Sequence, residues 1–77
     1  MVIDSPSQLG SLLASRRNEM GLTQAYVAEL ASISLPSLKQ IEAGKTNVGL
    51  TPLLRLLSTL GLQLLLDKRL SNEDKTR

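Results

Sequence analysis

The side chains that most often carry out catalysis are missing from this sequence of 77 residues, which contains neither cysteine nor histidine. The chain therefore lacks the thiolate nucleophile, the imidazole base, the disulfide bond and nearly every structural zinc site. The residues that are present do not assemble a nucleophile with its base, a metal cluster or a glycine-rich phosphate loop. We therefore expect a protein that is not an enzyme and that needs no cofactor and no metal.

Polar residues of a different kind mark the beginnings of two short predicted helices. Thr23 caps a helix over 24–31, and Ser34 caps a second helix that ends before Gly44. Two short helices joined by three or four residues have the dimensions of a helix-turn-helix. In such a unit the first helix crosses the DNA backbone and the second enters the major groove, so 34–43 is the expected inserted helix.

Two further helices are predicted around this pair. A capping box at 5–8 starts a helix that ends near Met20, and its glutamine is expected to reach back to the amide of Ser5. Thr51, followed by a proline, predicts the start of a fourth helix that ends at Gly61. The inward side chains are expected to be Leu9, Leu12, Leu13, Met20, Val27, Ala28, Leu30, Ala31, Leu38, Ile41, Leu53, Leu54, Leu56, Leu57 and Leu60. Leu35, Ser37, Lys39 and Gln40 are expected to face outward.

Composition supports an all-α fold of one domain. Eighteen residues are leucine and one is aromatic, a bias that favours helices over sheet. We expect an N-terminal arm at 1–4, a helix-turn-helix domain of four to five helices at 5–61, a dimerisation segment at 62–70 and a disordered tail at 71–77.

The leucines that follow the fourth helix suggest a homodimer. A chain of this size buries so little surface that a monomer would be only marginally stable. Burial of additional leucine side chains in an oligomer would increase its stability. Alternate residues from 62 to 66 would share one face of a short strand, which is slightly favoured, and a continued helix is nearly as consistent with leucine. The expected dimer-interface residues are Leu62, Leu64, Leu65 and Leu66.

Net charge and hydropathy give limited information on binding partners and on the cellular compartment of the protein. The net charge of +2 is too small to identify a nucleic-acid binder by itself. The most apolar stretch, 50–66, is interrupted and falls short of the roughly 20 apolar residues of a membrane helix. A chain without cysteine or an N-terminal leader is expected in the cytoplasm, associated with the nucleoid when bound to DNA.

Several short motifs resemble the phage Cro and lambda-repressor-like (XRE-type) helix-turn-helix family. They are Gly21-Leu22-Thr23-Gln24, Val27-Ala28, Ile33-Ser34 and Ile41-Glu42-Ala43-Gly44-Lys45, and the resemblance spans 8–60. The leucine-rich fourth helix and the segment after it most resemble the HipB-type antitoxins, whose dimers pair a C-terminal strand from each subunit. Two positions depart from the family pattern. Ser32 stands where a glycine is usual, and Ala43 replaces a polar residue that would contact phosphate.

The resemblance implies a set of DNA contacts. Base-reading positions fall on Ser34, Leu35, Pro36 and Lys39; backbone-contact positions fall on Thr23, Gln24, Ser37, Gln40, Lys45, Thr46 and Asn47. A lysine can donate to guanine O6 and N7, a serine can serve several base edges, and leucine or proline offers apolar contact to a thymine methyl. Arg17 and Glu42 are expected to form a structural ion pair, whereas Arg16 is expected to be only a solvated charge.

These expectations lead to a homodimeric repressor that binds a palindromic operator in double-stranded DNA. The narrower resemblance implies an antitoxin that also binds a HipA-type kinase toxin and represses its own operon. The alternatives are a phage, plasmid or restriction-controller repressor without a toxin, and a protein-interaction adaptor on the same fold. Tyr26 is expected to pack at the edge of the core, with a hydroxyl contact to the DNA backbone as the alternative. Arg55 and the pair Lys68-Arg69 stay open between DNA, solvent and partner contacts.

Overall fold

The protein is a bundle of short helices in a computed structural model that describes residues 2–45 and 47–68. Within these residues α1 is Pro6–Glu19, α2 is Gln24–Ala31, α3 is Leu35–Glu42 and α4 is Leu50–Thr59. The first helix packs on α3, and α2 packs on both α3 and α4. The expected all-α fold is confirmed.

Side-chain caps fix the beginnings of three helices. The hydroxyls of Ser5, Thr23 and Ser34 each accept a hydrogen bond from the amide three residues later, as predicted. At α1 the capping box is incomplete, because the Gln8 side chain accepts from the amide of Asp4 and not from that of Ser5.

The predicted start of α4 is wrong by two residues. Thr51 is already helical, and the N-cap is Gly49, which has no side chain to donate or accept. The proline that follows Thr51 suggested a boundary, but the first turn of a helix tolerates proline because its amides have no intrahelical partner.

All four helices end in the same backbone arrangement, in which the chain turns back through a residue of positive φ. Glycine occupies that position after α1, α3 and α4, whereas Ser32 occupies it after α2 with φ 58° and ψ 43°. The amides of Ser32 and Ile33 donate to the carbonyls of Glu29 and Ala28. The turn therefore keeps the usual geometry although a side chain replaces the glycine.

Leucine and small aliphatic residues from all four helices form the core. Its buried members are Leu13, Val27, Ala28, Leu38, Ile41, Leu56, Leu57 and Leu60. Three predicted core residues, Met20, Leu30 and Leu54, are exposed, because short helices bury a narrower stripe than their apolar pattern suggests. The opposite error concerns Leu35, which is half-buried against the core and does not simply face outward.

A close approach of two backbones holds α1 against the end of α3. Gly10 is buried, and a Cβ atom added there would lie 2.5 Å from the carbonyl oxygen of Ile41 and 2.6 Å from that of Glu42. Only glycine fits this contact without moving one of the helices. This packing places α1 where Arg17 can reach Glu42 at the C-terminal end of α3.

The chain after α4 adopts neither of the two predicted forms. Residues 62–68 belong to no helix and to no strand in this single chain. Leu62 packs against the core, and Leu64, Leu65 and Leu66 are exposed. The tail from 69 to 77 lies outside the described residues. Among those that are described, no helix is long and apolar enough to cross a membrane.

Candidate nucleic-acid interface

The third helix divides into a buried side and an exposed stripe. Leu38 and Ile41 face the core, while Pro36, Lys39, Gln40 and the C-cap residue Ala43 are exposed. Those four follow the i, i+3, i+4, i+7 spacing of one helical face. We call them the α3 stripe. It carries one cation, one amide that can both donate and accept, and no carboxylate.

The predicted base-reading residues do not all lie on the α3 stripe. Pro36 and Lys39 belong to it, Leu35 is half-buried beside the core, and Ser34 is the exposed N-cap. Pro36 is the second residue of the helix, so the amide that it lacks is one that would have no helical partner. The tip of α3 therefore presents an apolar ring in place of an amide donor.

Two serine hydroxyls at the tip of α3 are already engaged with each other. The Ser34 hydroxyl accepts from the Ser37 amide at 3.1 Å, and the two side-chain oxygens lie 2.8 Å apart in a hydrogen bond. Because one hydroxyl proton is consumed between them, a single proton is left for a base edge or a phosphate. Sequence reasoning assigned these serines separately and missed their pairing.

A carboxylate at the end of α3 joins three elements. Arg17 of α1 donates from Nε to Oε2 of Glu42 at 2.7 Å and from Nη2 to Oε1 at 3.0 Å. Gln24 at the start of α2 donates to the same Oε1 at 2.9 Å. The Arg17 side chain is 12% exposed and that of Glu42 is 6% exposed. The predicted ion pair is present, and it orients α1, α2 and α3 relative to one another.

The hydrogen bond to Glu42 raises the pKa of the Arg17 guanidinium above its ordinary value, with a smaller opposing effect of burial. A group whose pKa is raised by folding stabilises the fold fully below its unfolded pKa and loses that effect only as pH rises through the folded value. Arg17 therefore stays charged at every pH that a cell experiences. The third guanidinium nitrogen of Arg17, Nη1, donates to the carbonyl oxygen of Leu22 at 2.8 Å.

The residues predicted to contact the DNA backbone differ in how many of their hydrogen-bonding groups remain available. Gln24 uses one amide hydrogen for Glu42 and keeps the second. The Thr23 oxygen accepts from the Tyr26 amide, which leaves its hydroxyl proton. Lys45 and Asn47 are exposed in the loop after α3, and Asn47 has a left-handed φ of 63°. Thr46 lies outside the described residues.

One of the four predicted dimer-interface residues packs on the core of its own chain, and the other three are exposed. Leu62 is half-buried on the core, and its amide donates to the carbonyl of Leu57 at 2.8 Å. Leu64, Leu65 and Leu66 are 52%, 80% and 90% exposed. Three successive leucines therefore meet solvent in the single chain.

The structure also shows the exposure or the hydrogen-bond partners of one aromatic residue and two arginines. Tyr26 is half exposed, which is compatible with packing at the edge of the core and with a contact to DNA. Arg55 is exposed on α4 and donates to the Ser32 carbonyl at 3.4 Å. The expectation for Arg16 is wrong, because its guanidinium reaches two partners. Its Nε donates to the carbonyl oxygen of Leu60 at 2.9 Å, and its Nη1 pairs with Glu19 at 3.0 Å.

Only one of the two Arg16 contacts could have been predicted from the sequence. The arginine and Glu19 are three residues apart on one helix, a spacing at which opposite charges meet. The carbonyl partner lies 44 residues along the chain and is a backbone atom, so no residue type could reveal it. Arg69, the neighbour of Lys68, lies outside the described residues.

Comparison with known proteins agrees with this geometry. The helix-turn-helix family matches residues 13–66. An uncharacterised helix-turn-helix-type transcriptional regulator of Sinorhizobium fredii, y4mF, is 34% identical over 59 residues, which are 77% of this chain and 78% of that protein.

Two kinds of solved structure are also similar. HipB in a HipA-HipB-O2-O3 complex has a TM-score of 0.81 and 28% identity over 88% of this chain and 96% of that chain. The restriction-modification controller protein C.AhdI from Aeromonas hydrophila has a TM-score of 0.70 and 28% identity over 75% of this chain and 88% of that chain. With the family match and the paired helices α2 and α3, the chain belongs to the XRE-type helix-turn-helix family of DNA-binding transcriptional regulators.

Proposed function

We propose that this protein is a homodimeric repressor that reads a palindromic operator with the α3 stripe. The observation that carries the proposal is the composition of that stripe, whose four exposed side chains include a cation and an amide but no carboxylate. A helix face of this kind can enter the major groove without bringing a negative charge toward the phosphates.

Each residue of the α3 stripe has a different use in the major groove. Lys39 donates to O6 and N7 of a guanine, and Gln40, its exposed neighbour, can bind N6 and N7 of an adenine with both ends of its amide. Pro36 and Ala43 provide apolar contact for thymine methyl groups. We thus assign Gln40 to base reading rather than to the backbone, because it shares the exposed face of Lys39.

Residues at the edge of the α3 stripe hold the DNA backbone in this proposal. Lys45 supplies a charge, and Thr23, Asn47 and the second amide hydrogen of Gln24 supply hydrogen bonds. Glu42 fixes the Gln24 side chain at 2.9 Å, so that the amide approaches DNA in one orientation. These contacts position the protein without selecting a sequence.

A homodimer would bury the three exposed leucines, Leu64 to Leu66, against a second copy. Strand pairing between the two segments would satisfy backbone groups that the single chain leaves to solvent. A two-fold axis would then present two copies of α3 to half-sites one helical turn apart, about 34 Å.

The narrower proposal is an antitoxin of a toxin-antitoxin operon, bound by a HipA-type kinase. It is supported by the similarity to HipB from a HipA-HipB-O2-O3 complex, at 28% identity over nearly all of that chain. The similarity to the controller protein C.AhdI supports a second candidate, the regulator of a restriction system without a toxin partner.

Purification of the tagged protein from its native cell, with analysis of copurified proteins and bound DNA, separates these candidates. A kinase-like protein together with a palindrome from the protein's own promoter supports the antitoxin. The same palindrome without a kinase, next to restriction and methylation genes, supports the controller. A variant with Leu65→Asp serves as the matched control, because it should stay folded and lose the dimer.

A further inference from the structure

An arginine of α1 holds the point at which the chain leaves α4. Leu60 is fully buried at the end of that helix, and its carbonyl oxygen accepts from Nε of Arg16 at 2.9 Å. The next residue, Gly61, lies close to the same side chain, since a Cβ added there would stand 3.4 Å from Nη2. Arg16 therefore ties α1 to the last turn of α4.

The same side chain lies beside the start of the leucine segment. Arg16, Glu19, Leu12 and Leu62 line one groove, so the leucine segment begins beside α1. The carboxylate of Glu19 pairs with Nη1 and leaves Nε for the Leu60 carbonyl. The anchor and the salt bridge use different nitrogens of one guanidinium, so they can be removed separately.

We propose that Arg16 is a positioning residue that sets the direction of the segment 62–66 and, through it, the separation of the two α3 helices in the homodimer. This inference rests on the proposed function, in which that segment pairs across the dimer. The six residues from Gly61 to Leu66 span about 20 Å in an extended chain. A change of about 20° at Leu60 would therefore move the far end by about 7 Å, or about two base-pair steps of 3.4 Å.

The test measures the distance between the two recognition helices directly. Because the chain contains no cysteine, Ala43→Cys places a single spin label on the exposed side of each α3. Pulsed electron paramagnetic resonance then gives the intersubunit distance distribution without DNA. The variants are Arg16→Met, which keeps the apolar stem and removes every donor, and Glu19→Gln, which removes only the salt bridge. Arg16→Lys tests rescue by a single ammonium donor.

We expect a narrow distribution for the unsubstituted background and for Glu19→Gln, and a distribution that is broadened or shifted by about 5 Å or more for Arg16→Met. Arg16→Lys should fall between them. An Arg16→Met distribution equal to that of Glu19→Gln would overturn the inference while leaving the homodimer intact. If no intersubunit distance occurs even in the background protein, the proposed homodimer itself fails. Should Arg16→Met not fold by circular dichroism, Arg16→Ala takes its place, because it also removes every donor and favours the helix. An Arg16→Ala distribution equal to that of Glu19→Gln overturns the role of Arg16.

Discussion

Substitution of Gly10 by alanine is expected to destabilise the protein although alanine is the better helix former. The added Cβ would lie 2.5 Å from the carbonyl oxygen of Ile41, about 0.9 Å inside the 3.4 Å at which ordinary contact begins. Both nearby atoms belong to backbone, so α1 and α3 must move apart. Overpacking of this kind costs about 3 kcal/mol at the upper end of its usual range. The gain in helix propensity offsets about 1 kcal/mol of it.

The net loss of about 2 kcal/mol corresponds to a fall in Tm of about 8 to 16 °C for a domain of this size. Thermal and urea unfolding followed by circular dichroism measure it. Ser11 provides the matched control, because it is exposed on the same helix. The difference between Ser11→Gly and Ser11→Ala gives the propensity effect without any contact. A Gly10→Ala protein as stable as the unsubstituted one would refute the close approach of α1 to α3.

Three further predictions concern the turn, the ion pair and the DNA contacts. Ser32→Gly should raise the free energy of unfolding by about 0.5 to 1 kcal/mol in urea titrations, because glycine adopts the left-handed conformation without the cost of a Cβ. An unchanged or lower stability would mean that interactions of the Ser32 side chain compensate for the backbone strain. Glu42→Ala should cost about 3 kcal/mol in the same assay, because it leaves the nearly buried Arg17 without its partner, and a loss below about 1 kcal/mol would contradict a structural role. In DNA titrations at several salt concentrations, Lys45→Ala should reduce the slope of log K against log salt by about 2 for a dimer, one phosphate per subunit. Lys39→Ala should leave that slope nearly unchanged and cost about 1 to 3 kcal/mol at one base position; the reverse pattern would exchange the two roles.

Local signals in the sequence were sufficient for most helix boundaries. The bounds of α2 follow from Thr23 before it and the turn after it, and the structure has the helix at the predicted residues. The caps Ser5 and Ser34 act within three residues of themselves, so their geometry can be predicted without the fold. Thr51 misled the prediction because threonine followed by proline is compatible with a cap and equally with the interior of a first turn.

Contacts between distant segments were harder to foresee. Arg17 and Glu42 could be paired because a family resemblance placed them together, whereas the bond from Gln24 to the same carboxylate had no precedent in the pattern. The contact of Arg16 with a backbone carbonyl leaves no trace in residue types. Residues 62–66 form neither predicted element in one chain, since an isolated strand cannot satisfy its backbone without a partner edge.

The most direct test of DNA reading by a dimer is selection of bound sequences from a random double-stranded DNA library by the full chain. We expect an inverted repeat whose half-site centres lie about 10 base pairs apart, with a guanine whose enrichment disappears in Lys39→Ala. Enrichment of a sequence without two-fold symmetry, or of an inverted repeat that Lys39→Ala selects equally well, would contradict the claim that a dimer reads its operator through the α3 stripe.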